Sequence, residues 1–559
     1  MGSTGLDTSN SADWTIDPAV FAFMPRRLRV VCIGAGFSGL TVAYKLKHER
    51  PLDYVDLTIY EKNDEVGGVW FENVYPGVGC YIFYFNPKPD WSHCYVKGPE
   101  IQEYILATTD KFGLREKIQF ATKLVSAIWD EAAGKWALKL ERGGEVFEDS
   151  AHVVLDGSGV LNNWSFPDIE GLDTFKGKVL HTAKWDPTYN HASQRIAVIG
   201  NGSSALQVIP ALQPTAKKIV NYIRHATWIS TNLAGDITKD GMGTNFAYSP
   251  EEKALYASDR AAFLAYRKYV EHSVNSVYKL MISGSEENAF LLNLVDGVMR
   301  AKLAKSPPEL VSRLMPEHEI GCRRLSPGDG YLEAMQEGNA RWEFAPITRI
   351  TENGIVTAES GQEEEEEEGF DLIVTATGFN TTYIPAWELV GRDGRRLDVE
   401  WREKPAAYFS MCTGGIPNYF FFGGPNAPIG HGSVPAMLAW SADYMLDWVE
   451  KIAAEDIKSV VVKDSVVRDF NRYAAESLKR NVWSKGCTAW YSKKNGPGES
   501  NTVTAMYPGS ALQYKEYIKT IRGEHFDIQY NTSNPFRYLA NGELELERAE
   551  WGDMAYYIE

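Results

Sequence analysis

The sequence predicts an α/β protein with two Rossmann-like dinucleotide-binding domains, the second interrupted by a helical insertion. Two observations carry the paired domains: a G-x-G-x-x-G loop at Gly34 and a G-x-G-x-x-A loop at Gly200, each set between a short apolar strand and an apolar helix. A third carries the insertion: apolar residues at spacings of three and four after Ser249. The chain has 559 residues, 44% of them apolar, enough for more than one core.

At the first loop, Arg29-Val30-Val31-Cys32-Ile33 reads as a fully buried parallel strand. Gly34-Ala35-Gly36-Phe37-Ser38-Gly39 follows, and Leu40, Val42, Ala43 and Leu46 mark the helix. Gly34 permits the tight turn, Gly36 lets a pyrophosphate approach the backbone, and Gly39 lets helix and strand pack closely. The helix start offers free N–H groups to phosphate oxygens. A second strand, Val55 to Tyr60, ends in Glu61, which lies 22 residues past Gly39 and is placed to accept hydrogen bonds from a ribose. That carboxylate selects a ribose without a 2′-phosphate. The pair Gly67-Gly68, followed by Val69-Trp70 and Tyr75-Pro76-Gly77, brings backbone close to an extended cofactor. FAD suits this loop better than NAD.

At the second loop, Arg195 to Ile199 is the strand, Gly200-Asn201-Gly202-Ser203-Ser204-Ala205 the turn, and Leu206, Val208 and Ile209 begin the helix. The next strand, Lys218 to Ile223, ends in Arg224-His225 with no carboxylate at its tip. A guanidinium there suits a 2′-phosphate, so the second cofactor is read as NADPH. Both sites in one chain point to hydride transfer from NADPH to flavin.

The formal net charge of −17 argues against a nucleic-acid surface. No apolar run reaches the roughly 18 residues of a membrane-spanning helix, and the polar N-terminus lacks the pattern of a secretory signal. It reads as a loose arm tacked down by Trp14. Cys32, Cys80, Cys94, Cys322, Cys412 and Cys487 show no CxxC spacing and are expected as ordinary thiols in a reducing cytoplasm. No metal site is expected. Glu363 to Glu368 is expected at a solvated hairpin tip or in a disordered loop.

Between the loops, Phe175-Lys-Gly177-Lys-Val-Leu-His181-Thr-Ala-Lys-Trp185-Asp186 matches every fixed position of the FxGxxxHxxxW(P/D) fingerprint. On these residues the chain resembles the class B flavoprotein monooxygenases of Baeyer–Villiger type, and looks closest to fungal members. The resemblance runs from about Arg29 to the region of Arg522 and includes Thr377-Gly378-Phe379-Asn380, where the chain returns from the NADP domain. It implies that His181 orients the two domains. In Gly321-Cys322-Arg323-Arg324-Leu325 it implies that Arg323 holds the NADP phosphate and that Arg324 is catalytic. In such enzymes an anionic C4a-peroxyflavin attacks a ketone, and a fixed guanidinium stabilises the developing oxyanion, an interaction worth about 3 kcal/mol. The resemblance also implies that Trp490 belongs to a loop closing over NADP, and it places Val125 among the cofactor-binding residues. Ser433-Val434-Pro435 reads as a helix start, with Ser433 as N-cap; its dipole would face the flavin.

One departure matters. Tyr75-Pro-Gly-Val-Gly-Cys80 runs directly into Tyr81-Ile-Phe-Tyr-Phe-Asn-Pro-Lys-Pro-Asp90-Trp91-Ser92, whereas fungal relatives carry a further stretch between Cys80 and Tyr81. That stretch bears the family's active-site Asp, which contacts the catalytic Arg. Val69 also replaces the usual Thr. Three readings follow: another carboxylate substitutes, the site is enlarged for a bulky substrate, or the flavin does different chemistry. NADPH oxidation is expected to be retained and oxygenation altered.

The expected organisation is an N-terminal arm (1–27), an FAD-binding domain in two parts (28–168 and 378–559), and an NADP-binding domain in two parts (172–232 and 322–376). The helical insertion occupies 235–320. There Ser249-Pro250-Glu251-Glu252 opens a capping box, and Phe263, Tyr266, Val270, Val274, Val277 and Met281 form an apolar stripe. The function expected first is an FAD- and NADPH-dependent Baeyer–Villiger monooxygenase using O2 on a large apolar carbonyl metabolite of fungal secondary metabolism. N- or S-oxygenation is one alternative. A non-oxygenating flavin enzyme (oxidase, dehydrogenase or rearrangement catalyst) is another. The sequence leaves the oligomeric state open.

Overall fold

The computed structural model describes residues 11–75, 78–79, 82–230, 232, 235–241, 243–358, 365–487, 489–493 and 502–558. Two five-stranded sheets organise it. Their strands, in chain order, are β1 (Leu28–Ile33), β2 (Val55–Tyr60), β3 (Ile118–Gln119), β4 (Val153–Asp156), β5 (Lys178–His181), β6 (Arg195–Ile199), β7 (Lys218–Tyr222), β8 (Ala340–Glu343), β9 (Leu372–Thr375) and β10 (Tyr419–Phe421). The first sheet has the order β10-β4-β1-β2-β3 and the second β5-β9-β6-β7-β8. All pairings are parallel. Parallel strands are covered on both faces, which is why their sequences are continuous apolar runs rather than alternating ones. Val30, Val31 and Cys32 are fully buried, as are Ile196, Ala197 and Val198. The fold is thus the mixed α/β arrangement of two Rossmann-like units that the glycine loops predict.

Each central strand leads through its loop into a helix, α1 (Phe37–Tyr44) in the first unit and α2 (Ser203–Leu212) in the second. The two loops repeat one hydrogen bond: Gly34 N–H donates to Tyr60 O at 2.8 Å, and Gly200 N–H donates to Tyr222 O at 3.0 Å. Gly39 is where α1 crosses β1. A Cβ there would stand 2.1 Å from the Gly34 carbonyl oxygen, so no larger residue fits.

The insertion is built from α3 (Pro250–Ser258), α4 (Arg260–Ser276), α5 (Glu286–Lys302) and α6 (Pro308–Leu314). Ser249 and Glu252 form the reciprocal capping box read from the sequence. Of the apolar stripe, Val277 and Met281 are buried, while Phe263, Tyr266, Val270 and Val274 are only half-buried. The entry to the insertion is pinned to the first half of the chain. Cys94 N–H donates to Phe246 O, Tyr248 N–H donates to Ser92 O, and the Asn245 side chain bonds both the N–H and the carbonyl of Tyr95. A long helix, α7 (Val434–Ala454), begins at Ser433 and packs across α1.

The structure corrects four expectations. Cys322 and Cys487 are joined in a disulfide rather than standing as free thiols; Cys32, Cys94 and Cys412 are buried thiols, and Cys80 lies outside the described residues. The acidic run is largely strand: Glu365–Gly369 pairs antiparallel with Gly354–Ala358. Two of its charges are matched, Glu368 by Lys218 and Arg341, and Glu365 by Arg349. Residues 359–364 are outside the described set. Trp14 is 60% exposed. The arm is held instead by Asp13, which accepts from the backbone and hydroxyl of Ser533, and by Ala22 N–H on Glu543 O. Finally, the Ser433 hydroxyl makes no capping bond to α7. Among the described residues, no helix is long and apolar enough to cross a membrane.

Gly39→Ala is expected to lower the unfolding free energy by about 1–3 kcal/mol through overpacking, read by urea denaturation of the cofactor-free protein.

Candidate active site

At the first loop the backbone forms a cradle. Gly34 sits at φ +97°, and a Cβ there would meet the Gly157 oxygen at 2.8 Å. Gly36 faces Gly68 closely: a Cβ on Gly36 would lie 3.5 Å from Gly68 Cα, and one on Gly68 would lie 3.2 Å from Gly36 Cα. Gly67 N–H donates to Ala35 O, strapping the second glycine pair onto the first loop. Gly36 is the N-cap of α1 and no side-chain hydrogen bond caps that helix start, which suits it to anionic oxygens. Phe37 packs on Phe83, and Ser38 is buried beside the turn.

Glu61, at the tip of β2, is 3% exposed. It accepts from Ala35 N–H at 2.7 Å and from Asn63 N–H at 2.9 Å. Burial pushes its pKa up, and those two N–H donors oppose the shift. Two accepted bonds leave lone pairs for a ribose hydroxyl. Val69 and Trp70 open the short helix Val69–Glu72, whose N-cap is Gly68. Tyr75 reaches across to the core of the second unit. Val125 stands at a register shift between the strands Thr122–Asp130 and Lys135–Arg142. Uncapped N–H groups, a glycine cradle and a ribose acceptor together fit the adenine dinucleotide half of FAD.

The second loop is more open. Gly200 sits at φ +116° against the Ala376 oxygen, whereas nothing stands within 4 Å of a Cβ placed on Gly202. Ser203 is bonded to Ser326 through their hydroxyls, and Ser204 is half-buried beside it at the start of α2. Beyond β7, Arg224 is exposed and Arg323 half-buried. Arg323 makes one long bond, to Ala226 O at 3.5 Å, and its Nε has no partner. Burial pulls the Arg323 pKa down, and the nearby Arg224 charge adds to that. Among the described residues neither arginine forms an ion pair. Two adjacent cations without a carboxylate fit the 2′-phosphate of NADPH.

His181 occupies the joint between the units. It is 1% exposed. Its Nδ1 accepts from Ala183 N–H at 3.0 Å, and its Nε2 lies 3.3 Å from the Thr377 hydroxyl. Trp164, on the chain entering the second unit, stacks on it at 4.6 Å, and Phe379, on the chain leaving, meets it edge-on. The two connecting chains are themselves bonded, Asn380 N–H to Asn163 O at 2.7 Å. Around them Phe175 is buried, and a Cβ on Gly177 would collide with the Phe175 ring and the Asp371 oxygen. Trp185 packs on the second core, and Asp186 pairs with Lys178 at 2.9 Å. Of the fingerprint residues, His181 stands at the joint, while Phe175 and Gly177 pack at the start of β5.

Arg324 is exposed and, among the described residues, forms no ion pair. Trp490 is half-buried against the second core. Cys80 and Tyr81, which flank the shortened stretch, lie outside the described residues together with Pro76 and Gly77.

The sequence reading missed Glu271 on α4. It keeps solvent access, yet neighbouring atoms crowd it enough that desolvation raises its pKa; the Ser433 hydroxyl and the Arg267 charge oppose the shift. The Ser433 side chain thus lies beside this carboxylate and does not cap its own helix. The only signal in the sequence was the i, i+4 spacing of Arg267 and Glu271, which also marks solvated helix pairs. Close by, His431 is 4% exposed, stacks on Trp483 and meets Tyr278 at a tilt.

Comparison with known proteins agrees with this geometry. The family described as flavin-binding monooxygenase-like matches residues 27–279. The FAD-binding monooxygenase tazF of Aspergillus terreus is 61% identical over 560 residues, covering 99% of this chain and 98% of the relative. A Baeyer–Villiger monooxygenase of Pseudomonas aeruginosa is 31% identical, covering 92% and 94%. The crystal structure of cyclohexanone monooxygenase from Rhodococcus sp. Phi1 bound to NADP+ superposes with a TM-score of 0.75 at 25% identity, over 90% of this chain and all of that one.

Burial lowers the His181 pKa from 6.5 to about 4, so the folded protein holds it neutral while the unfolded chain protonates it below about 6.5. Its contribution to stability is complete above pH 6.5 and is lost as pH falls towards 4. Replacing it with a residue that does not titrate, His181→Gln, is expected to flatten the fall in denaturation midpoint across pH 6.5 to 4 relative to the wild type, measured by urea titration at several pH values.

Proposed function

Because the chain belongs to the class B flavoprotein monooxygenases of Baeyer–Villiger type, we propose that it inserts one atom of O2 beside the carbonyl of a large apolar metabolite, in cytoplasmic secondary metabolism. FAD and NADPH are its cofactors. The observation that carries the reading is the joint at His181, which ties an FAD-fitted glycine cradle and an NADP-fitted loop into one frame.

When bound, FAD and NADPH supply hydride transfer and reaction with O2. The chain supplies the rest. The N-termini of α1 and α2 receive pyrophosphates, Glu61 holds a ribose, and Arg224 and Arg323 hold the 2′-phosphate. Ser203 and Ser204 stand where α2 meets that cofactor. Arg324 is the guanidinium assigned to the reacting carbonyl oxygen. Trp490 covers the nicotinamide side. The domain limits are 28–168 with 378–559 for FAD, and 172–232 with 322–376 for NADP, with 235–320 as roof. The half-buried stripe of α4 and its Glu271 suit that roof: they offer an apolar face and one carboxylate to a bulky substrate. The shortened stretch at Cys80–Tyr81 supports a second reading, in which the flavin is reduced by NADPH but does not oxygenate.

Turnover of polycyclic ketones under 18O2 separates the readings. One labelled oxygen in an ester supports ketone oxygenation, and label in an N- or S-oxide supports heteroatom oxygenation. NADPH consumption with unlabelled product supports the second reading. Arg324→Ala is expected to lower product formation at least about 100-fold while NADPH still bleaches the flavin. Arg224→Ala is expected to narrow the NADPH over NADH preference in kcat/KM about tenfold, a loss of about 1.4 kcal/mol.

A further inference from the structure

The Cys322–Cys487 disulfide joins two segments 165 residues apart in sequence, and both adjoin the candidate chemistry. Cys322 directly precedes Arg323 and Arg324, while Cys487 stands three residues before Trp490. Cys322 is fully buried and Cys487 is 7% exposed. The contact is reinforced on both sides. The Tyr491 hydroxyl donates to the Cys322 carbonyl oxygen, and Gly321 packs against Met281 and Val482 so closely that a Cβ would stand 2.9 Å from the Met281 sulfur and 3.3 Å from Val482. Asn481 and Arg480 are bonded to the same stretch, at Met281 O and Ser283 N.

A guanidinium pair on a loop needs something to hold it. Arg323 has one long hydrogen bond, and Arg324 has no ion pair among the described residues. The covalent link lies immediately beside them. We propose that the Cys322–Cys487 disulfide is a positioning brace, which fixes the Arg323–Arg324 segment to the Trp490 segment and makes the NADP end of the site sensitive to thiol redox state. The inference rests on the NADPH reading above for its ligand, though not for the brace itself. Closing the link removes two protons and two electrons from the two thiols. Hydrogen peroxide accepts both and leaves as two waters. A dithiol reductant reverses the change, taking the place of the protein thiols as the oxidised partner. Disulfides in reducing compartments are characteristically of this reversible kind.

The test uses the full-length FAD-loaded protein, treated with peroxide or with reductant and then freed of reagent. Alkylation under denaturing conditions followed by peptide mass analysis is expected to find Cys322 and Cys487 blocked in the first sample and alkylated in the second. Trypsin cleavage after Lys485, which is exposed, is expected to accelerate at least tenfold on reduction, and NADP+ to bind at least fivefold more weakly. Cys487→Ser is expected to behave as the reduced protein whatever the treatment, and Cys94→Ala to behave as wild type. Reduction of the unmutated protein keeps the test informative should Cys487→Ser fail to fold. Two free thiols after peroxide treatment would overturn the brace, and so would equal cleavage and equal NADP+ affinity in the two states. Redox-dependent protection of Lys485 without NADP+ binding in either state would support the brace and overturn the NADPH reading instead.

Discussion

The interaction on which the rest depends is the packing of His181 between the chain entering the second unit and the chain leaving it. Each Rossmann-like unit would be complete without the other, since each sheet is parallel, covered on both faces and capped by its own glycine turn. Shared chemistry requires that the two loops keep a fixed distance and orientation. Among the described residues, two connecting chains run between the sheets near the loops, and they are bonded at Asn163 and Asn380. His181 sits on them with Trp164 stacked on one face and Thr377 at one nitrogen. A neutral imidazole suits this place, because it can accept one hydrogen bond and stack without carrying a charge into the core. The remaining fingerprint residues hold the start of the strand that delivers it: Gly177 makes room for Phe175 and the Asp371 carbonyl, and Asp186 pairs with Lys178 beside them.

Much of this was legible in the sequence because it follows from local rules. A strand, a tight glycine turn and a helix start are short-range facts, and the positive φ of Gly34 and Gly200 explains why those positions are glycine. The capping box at Ser249 is local as well. What the sequence did not reveal depends on residues brought together from far apart. Cys322 and Cys487 share no spacing pattern that marks a pair. Glu365 and Glu368 read as solvated until the opposing strands supply Arg349, Arg341 and Lys218. Trp14 seemed the natural anchor of the arm on hydrophobicity, yet the anchor is a carboxylate that finds backbone and hydroxyl donors near Ser533. Ser433 has the right residue type for a cap and the right place in the sequence, yet its hydroxyl makes no capping bond and lies beside a carboxylate of the insertion.

The insertion is more than an appendage. Its entry is hydrogen-bonded along Ser92 to Tyr95, its α4 brings Arg267 and Glu271 to the start of α7, and its 278–283 stretch receives the segment leading to Cys487. Three distant parts of the chain therefore touch the insertion. The apolar stripe of α4 is only half-buried at Phe263, Tyr266, Val270 and Val274, so part of its surface stays accessible.

Charge shows the same division between whole and site. The chain as a whole is strongly acidic, with a net charge of −17, yet among the described residues no carboxylate pairs with Arg224 or Arg323 beyond β7. Holding Arg323 half-buried beside a second cation disfavours its charged form, which is why its pKa is pulled down. A ligand with two negative charges bound there would offset both costs through its attraction to the guanidinium groups. The binding free energy of that ligand is then also a stabilisation of the fold, since the unfolded chain has no such arrangement to offer.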